Sequence, residues 1–413
     1  MREKTFSKDA ILALIGAFCY ISCATMAMPI TEGFTKSLGG SPELCGFMTG
    51  LMYLVSLCVR PVAGNLADKI KKSTLTIWGS GLMVVSNFAY AVAPNLIILT
   101  IARIVCGIGY AACTVALSTW FSMLVPSNKV GKAMGIYGTM QAISMAFIGY
   151  MAFVITDYCG GERVAFFVSA LFAVVTFVLS FIIKDRGNPI VKQDVVKKKT
   201  RLLDINVLPV ALILMLFTIP YNATQGLIKK YVATMGLNSI LNAGAFVTMY
   251  AIFLIILRVG FRNFFDKVRY RTFLFISLVS SLVAMSSLAV IGVIASKVSG
   301  FVLSYVYVEQ WISTLITSVL VMIIPGLFMA GGYGIMCSVT QATAIKLAGG
   351  KENRGVANST YYMGFDAGMA LGPTIGGVIM GNFEITMFYP MLMLCSVLAF
   401  GIYMFNRKKI DNA

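Results

Sequence analysis

Twelve apolar runs, each about as long as a helix that crosses a bilayer, follow one another along the chain with short polar breaks between them. They fall at roughly 10–31, 44–63, 74–93, 96–124, 133–155, 163–184, 206–228, 240–261, 273–296, 316–346, 357–382 and 386–406. A span needs about 20 apolar residues to cross roughly 30 Å of hydrocarbon, where every backbone amide and carbonyl must find a partner inside the protein. Helices meet that demand segment by segment. Strands meet it only in a closed barrel, and the alternating ten-residue pattern of a barrel strand is absent here. The expected fold class is therefore an all-α membrane protein with twelve transmembrane helices.

Charge confirms the class and orients it. Hydrophobic residues make up 58% of the chain and charged residues 12%, too apolar a balance for a soluble domain. A net charge of +17 on a soluble chain would suggest nucleic acid, but 27 of the 33 Lys and Arg residues lie in the N-terminus, the even-numbered connections and the C-terminal tail. Five lie in the odd-numbered connections, and Arg103 sits inside a span. Such a bias reports topology. It predicts a multi-pass protein of the cell membrane with both termini in the cytoplasm, in contact with the lipid bilayer and with no nucleic-acid partner. The first apolar run lacks a small-residue cleavage signature and is expected to be the first span.

Enzyme chemistry is not expected. The chain has no histidine, and its nine cysteines are odd in number, lie mostly inside apolar runs and form no CxxC pair. They read as small buried hydrophobes, so no metal site, disulfide frame or cofactor is expected. A phosphate-cradling GxxxxGK[ST] loop is missing, as is a carboxylate pair at mid-membrane.

The apolar pattern is also duplicated. Arg60, Asp68 and Lys69 map onto Arg258, Asp266 and Lys267 at an offset of 198, and Gly46 maps onto Gly244 at the same offset. Gly109-Tyr110 maps onto Gly332-Tyr333 at 223, and GKAMGIYG (131–138) onto GVANSTYY (355–362) at 224. The jump in offset places an insertion at about 297–318, an amphipathic stretch with Tyr305, Tyr307 and Trp311 that is expected at the outer interface. The expected organisation is an N-terminal six-helix bundle (1–184), a polar and basic cytoplasmic linker (185–205) and a C-terminal six-helix bundle (206–413). Two such halves can rock about a central site and open it to each side in turn.

Gly64, Asp68, Lys69 and Lys72, preceded by Arg60-Pro61, and Arg103, Gly107 and Gly109 in span 4 carry a resemblance to the major facilitator superfamily. The chain resembles most its 12-spanner drug:H⁺ antiporter group. The resemblance covers essentially the whole chain and implies two pseudo-symmetric six-helix bundles, competence as a monomer and no cofactor. One departure stands out. The group's span-5 antiporter motif is degenerate here, and Gly368 to Gly377 in span 11 carries a Gly-Pro pair, Gly372-Pro373, instead.

Asp366 is the one acidic residue well inside a span, about 14 Å deep if span 11 starts near Ala357. An ionised carboxylate at that depth costs several kcal/mol unless paired or hydrated, which makes Asp366 the first candidate for proton coupling; a static hydrogen-bonding role is the alternative. Arg103, the one basic residue inside the hydrocarbon, must meet a carboxylate, a carbonyl or water. The resemblance ties it to proton movement, and a purely structural role on carbonyls stands beside that. Arg60, Gly64, Asp68, Lys69 and Lys72 form the candidate cytoplasmic gate. By the resemblance span 2 lies beside span 11, so Asp68 is expected to face the amides near Asn358 and Ser359. Arg258, Asp266 and Lys267 would form a weaker second latch. The lysines serve equally well as topology signals and lipid contacts.

Gly107 and Gly109 in span 4, and Gly368, Gly372 and Gly376 with Pro373 in span 11, are candidates for close helix packing or a gate. The resemblance places a substrate cavity among spans 1, 4, 7 and 10. Its candidates are Tyr20, Thr25, Tyr110, Tyr221, Asn222, Gln225 and Tyr333, with Gln141 from span 5. Such a cavity, aromatic and nearly uncharged, suits a small amphipathic molecule. The expected function is proton-coupled efflux by alternating access. A proton-symport uptake permease is the runner-up; a lipid flippase and a non-transporting receptor are further alternatives.

Overall fold

Three of the helices start on a polar residue that caps them. Ser7 accepts from the amide of Ala10 at 3.1 Å, Ser41 from Leu44 at 3.3 Å and Asn95 from Ile98 at 3.0 Å, satisfying amides that a helix start leaves free. The computed structural model describes residues 7–126, 129–188, 202–242, 244–261, 269–305, 309–350 and 353–411. Within them the first half runs α1 (Lys8–Ser37), α2 (Pro42–Lys69), α3 (Lys72–Val92), α4 (Leu96–Met123), α5 (Val130–Ile143), a π turn (Ser144–Ile148), α6 (Gly149–Tyr158) and α7 (Glu162–Ile182). The second half runs α8 (Leu208–Thr234), α9 (Gly244–Phe261), α10 (Tyr270–Ala289), α11 (Ile291–Tyr305), α12 (Gln310–Met329), a second π turn (Ala330–Gly334), α13 (Ile335–Leu347), α14 (Arg354–Asn382) and α15 (Phe388–Asp411). No strand occurs among the described residues.

All twelve expected spans appear as helix. Nine described helices are long and apolar enough to cross a membrane on length and composition. The described parts of spans 5, 8 and 11 are not among the nine. Of these, α14 carries a polar run from Asn358 to Tyr362 with Asp366 beyond it, which lowers its hydropathy. Trp78, Ile97, Ile101 and Phe405 lie on the outer surface, where lipid rather than water keeps such side chains at low cost.

The stretch expected as an insertion, about 297–318, is helical in its described parts. Its residues are divided between α11, which starts earlier, at Ile291, and the first turns of α12, which starts at Gln310. Ile291, Ala295 and Val302 are buried, while Val293, Phe301 and Leu303 face outward. Trp311 is exposed, and Tyr307 lies outside the described residues.

Two hydrophobic clusters form the core. One gathers first-half residues such as Ala10, Met83, Trp120 and Phe166. The other gathers second-half residues such as Phe217, Met285, Met336 and Tyr389, and takes in Ala63, Ala67 and Ala142 from the first half. Buried hydroxyls are settled locally: Thr76 donates to the carbonyl of Lys72 at 2.8 Å, Ser118 to Thr114 at 2.6 Å and Thr218 to Leu214 at 2.8 Å.

The span-11 glycines face a neighbour in their own half. A Cβ at Gly364 would stand 2.2 Å from the Ala211 carbonyl oxygen, at Gly368 2.5 Å from Thr218 Cβ, at Gly372 2.7 Å from the Ile219 oxygen and at Gly376 2.7 Å from Leu227 Cδ1. The stripe is therefore the surface on which α8 packs. This corrects the gate expectation for Gly368, Gly372 and Gly376: a spacing of four residues defines a helix face, not which helix covers it. Pro373, within α14, packs near Gly226 of α8. Gly107 lies against Met52 and Val55 of α2, and Gly109 against Gly79 of α3.

Candidate functional site

The two halves meet through hydrogen bonds concentrated between the middle of the helices and the end that carries the lysine-rich α2–α3 connection. Asp366 of α14, 12 residues from the helix start and so about 18 Å along it, is fully buried. It does not stand alone. Arg60 of α2 donates to it twice, Nε to Oδ2 at 2.8 Å and Nη2 to Oδ1 at 3.0 Å, and Ser56 donates to Oδ2 at 2.8 Å. This forked, two-point pairing joins one half to the other in a site closed to solvent. The remaining Arg60 nitrogen, Nη1, donates to Thr114 of α4. Its guanidinium carbon lies 4.5 Å from the ring centre of Tyr362 and 5.6 Å from that of Tyr110.

Sequence position assigned Arg60 to the rim cassette, and the structure moves it inward. It lies nine residues before Lys69, about 14 Å up the helix, and belongs with Asp366. Arg103 is not brought to Asp366. Its Nε donates to the Met48 carbonyl at 3.1 Å and its guanidinium lies 5.5 Å from the Tyr90 ring centre, so it ties α4 to α2 and α3 within the first half.

The rim below the pair is laid out in layers. Asp68 at the end of α2 accepts from the amides of Gly355 at 2.7 Å and Val356 at 2.9 Å. A carboxylate thus sits on the first turn of α14, where unpaired amides and the helix dipole favour negative charge by about 0.3–2 kcal/mol. The contact falls one turn before the expected Asn358 and Ser359, because α14 starts at Arg354. Those two residues bind elsewhere: Asn358 to Thr119 at 3.0 Å and Ser359 to the Arg60 carbonyl. Arg354 donates to the Ser122 carbonyl at 2.6 Å. Gly64 makes the approach of α2 to α14 possible, since a Cβ there would stand 2.3 Å from Ser359 Cβ. Gly355, which sequence reasoning missed, does the same from the other side, 2.6 Å from Asp68 Oδ1. Lys69 is exposed, whereas Lys72 is buried beside Gly187 and Trp120.

Replacing Asp68 with Asn keeps an acceptor but removes the charge. Hydrogen exchange at the Gly355 and Val356 amides is expected to accelerate about fivefold or more, the equivalent of roughly 1 kcal/mol. Unchanged exchange would show that the charge contributes nothing to this contact.

The second cassette behaves differently. Arg258 of α9, almost fully buried, donates to the carbonyl of Gly138 in α5 and to that of Gly334 in the second π turn, the latter at 3.2 Å from Nη2. Asp266 and Lys267, its expected companions, lie outside the described residues.

Above these layers lies a small cavity of about 30 Å³ between the halves. Tyr20, Tyr110 and Gln141 line it, as expected, together with Tyr137, Ser338 and Tyr362, which were not anticipated. The Tyr20 and Tyr137 hydroxyls are 3.0 Å apart, and the Tyr20 and Tyr53 rings both pack edge-on to Tyr110. Five cavity candidates fall elsewhere. Tyr221 stacks on Tyr333 with ring centres 4.0 Å apart and accepts from Gln225 at 2.7 Å, while Asn222 turns back to the Thr218 carbonyl at 3.2 Å. Thr25 is half-buried near Gly149. The space left is about one water molecule's worth, so a larger ligand needs the halves to part. Tyr137 and Tyr362 come from spans 5 and 11, whose repeat alignment pairs Gly138 with Tyr362, and that pairing was the available signal; Ser338 comes from span 10.

The model of the Major Facilitator Superfamily matches residues 13–311. Over 207 residues the chain is 28% identical to a protein of Lactococcus lactis subsp. lactis described as a multi-drug resistance efflux pump PmrA homolog, covering 48% of this chain and 50% of that one. Over 165 residues it is 25% identical to the quinolone resistance protein NorA of Staphylococcus aureus, covering 38% and 40%. The matched stretch thus spans half the length of these relatives or less. Among solved structures, the human organic anion transporter MFSD10 (TETRAN) superposes with a TM-score of 0.71 at 11% identity, over 96% of this chain and 99% of that one. A bacterial homologue of the iron transporter ferroportin in an outward-facing state gives 0.70 at 13% identity, over 96% and 99%. At these identities the likeness is one of fold.

Proposed function

The chain belongs to the major facilitator superfamily, and on that premise we propose that it exports a small amphipathic compound in exchange for protons. The lysine-rich end faces the cytoplasm in this reading, as the distribution of basic residues demands. The conformer described above is then the one closed toward the cytoplasm. The observation that carries the proposal is the buried Arg60–Asp366 pair, which bridges the halves beside the central cavity.

A pair in that position links closure to protonation. With Asp366 ionised, two charge-assisted hydrogen bonds hold α2 to α14, and the Asp68, Arg354 and Ser359 contacts close the rim beneath. Protonation removes the charge that compensates the Arg60 guanidinium. Breaking a buried pair by removing one partner costs about 3–5 kcal/mol, enough to shift a two-state balance by a factor of roughly 10² to 10⁴. The cytoplasmic end opens, the proton leaves on that side, substrate enters, and the ionised pair re-forms as the halves close. Protons arriving from outside thus release the empty carrier inward, and their loss drives the loaded carrier back. The names of the PmrA homolog and NorA support export rather than uptake. Arg103 takes the structural role, holding α2 and α4 together through the Met48 carbonyl.

Inverted membrane vesicles holding the full chain, tested with a panel of dyes and antibiotics, check this directly. Accumulation is expected with an acidic lumen and is lost when nigericin collapses the pH gradient. Accumulation only with an acidic exterior would indicate symport, and accumulation indifferent to nigericin would remove proton coupling.

A further inference from the structure

Arg60 and Arg258 are repeat mates 198 residues apart and both are buried, yet among the described residues only Arg60 has a counter-charge. Asp366 neutralises Arg60. Arg258 meets two main-chain carbonyls, which accept hydrogen bonds but carry no net charge, and it makes no ion pair with a carboxylate among the described residues. A buried guanidinium without a compensating anion is costly to hold. The repeat shows where the missing carboxylate would be. The offset of 224 that aligns spans 5 and 11 maps Asp366 onto Ala142, a fully buried residue one turn beyond Gly138 that packs in the second-half cluster.

The surroundings of Arg258 reach the cavity. Gly138 and Ser338 both line it, and a Cβ at Gly138 would stand 2.8 Å from Ser338 Oγ and 3.1 Å from Arg258 Nη1. Ser338 is itself 3% exposed, and its hydroxyl has no hydrogen-bond partner. Arg258, with no carboxylate partner among the described residues, and the free Ser338 hydroxyl thus meet at Gly138, in the cavity wall.

We propose that the transported compound bears a carboxylate, and that this group takes the place beside Arg258 that Asp366 takes beside Arg60. Arg258 supplies the charge, Ser338 supplies a donor, and the aromatic body of the compound rests on Tyr20, Tyr110 and Tyr137 once the halves part. The proposal rests on the central cavity being the transport site, as argued above.

Binding of radiolabelled 2-naphthoate and of its neutral isostere 2-naphthamide to the purified full chain separates the two ideas. The unaltered protein is expected to prefer naphthoate by about tenfold or more. Ala142→Asp, which installs the missing carboxylate, is expected to erase that preference, as is Arg258→Gln, while Ala142→Asn, of equal bulk and no charge, retains it. Equal binding of both probes, binding of naphthamide alone, or binding of neither while cationic or neutral dyes are carried would overturn the carboxylate proposal and leave proton-driven export standing. A preference that survives Ala142→Asp would overturn it as well. If no compound of the dye panel is moved by a pH gradient, it is the export reading that fails.

Discussion

Asp366→Asn is expected to abolish accumulation against a gradient while leaving proton-independent exchange of substrate across the membrane. The carboxamide has nearly the same shape and still accepts from Ser56, so the packing of α14 is preserved and only the charge is lost. Arg60 then remains buried between Thr114 and the Tyr362 ring with its counter-ion gone. The cost of about 3–5 kcal/mol falls on the closed conformer alone, because on opening the guanidinium regains water. Net accumulation should therefore fall to the level of a passive exchanger, and the resting balance should move about a hundredfold or more toward the open cytoplasmic end. Combining Asp366→Asn with Arg60→Gln removes both charges. The double variant is expected to recover the conformational balance but not proton-driven transport. Recovery of both would reduce the pair to a static staple.

Gly64→Val is expected to stop the cycle from the other direction, by preventing closure. The space for even one methyl carbon at this position is already occupied by Ser359 Cβ at 2.3 Å, with the Gly355 carbonyl at 3.0 Å. Two backbones meet here, so no flexible side chain can swing aside, and overpacking of this kind costs about 1–3 kcal/mol or more. The penalty again falls only on the closed state. A cysteine placed at Ser122, buried in the closed rim, should become reactive to a membrane-impermeant maleimide from the cytoplasmic side in Gly64→Val and stay protected otherwise. Protection that persists in the variant would show that α2 can move aside without opening the rim.

Much of this architecture is written in the residues. Span lengths follow from hydrophobic runs alone, because the bilayer fixes how long a run must be, and the repeat follows from offsets that pair Arg60 with Arg258 and Gly109 with Gly332. The approach of Asp68 to the start of span 11 was legible to within a turn, the error arising from where the helix begins. What the residues hide is pairing across distance. Nothing local to Arg60 reveals that its partner lies 306 residues away, and its neighbours in the basic loop pull the eye to the rim. The depth argument that singled out Asp366, applied to Arg60, would have placed it about 14 Å inside the helix as well. The glycine stripe likewise reveals a face but not its occupant, and the cavity candidates Tyr221 and Tyr333 were lost to each other because two flat rings stack more favourably than they line an open space.

The account turns on one claim, that the charge state of Asp366 sets whether the cytoplasmic ends of the two halves are joined. Spin labels at exposed positions on the lysine-rich end, Lys69 in the first half and Lys346 in the second, report that separation by pulsed dipolar spectroscopy as pH is varied. The unaltered chain is expected to show a short distance at high pH giving way to a longer one as pH falls, and Asp366→Asn to show the longer one throughout. A distance that follows pH equally in both proteins would contradict the claim.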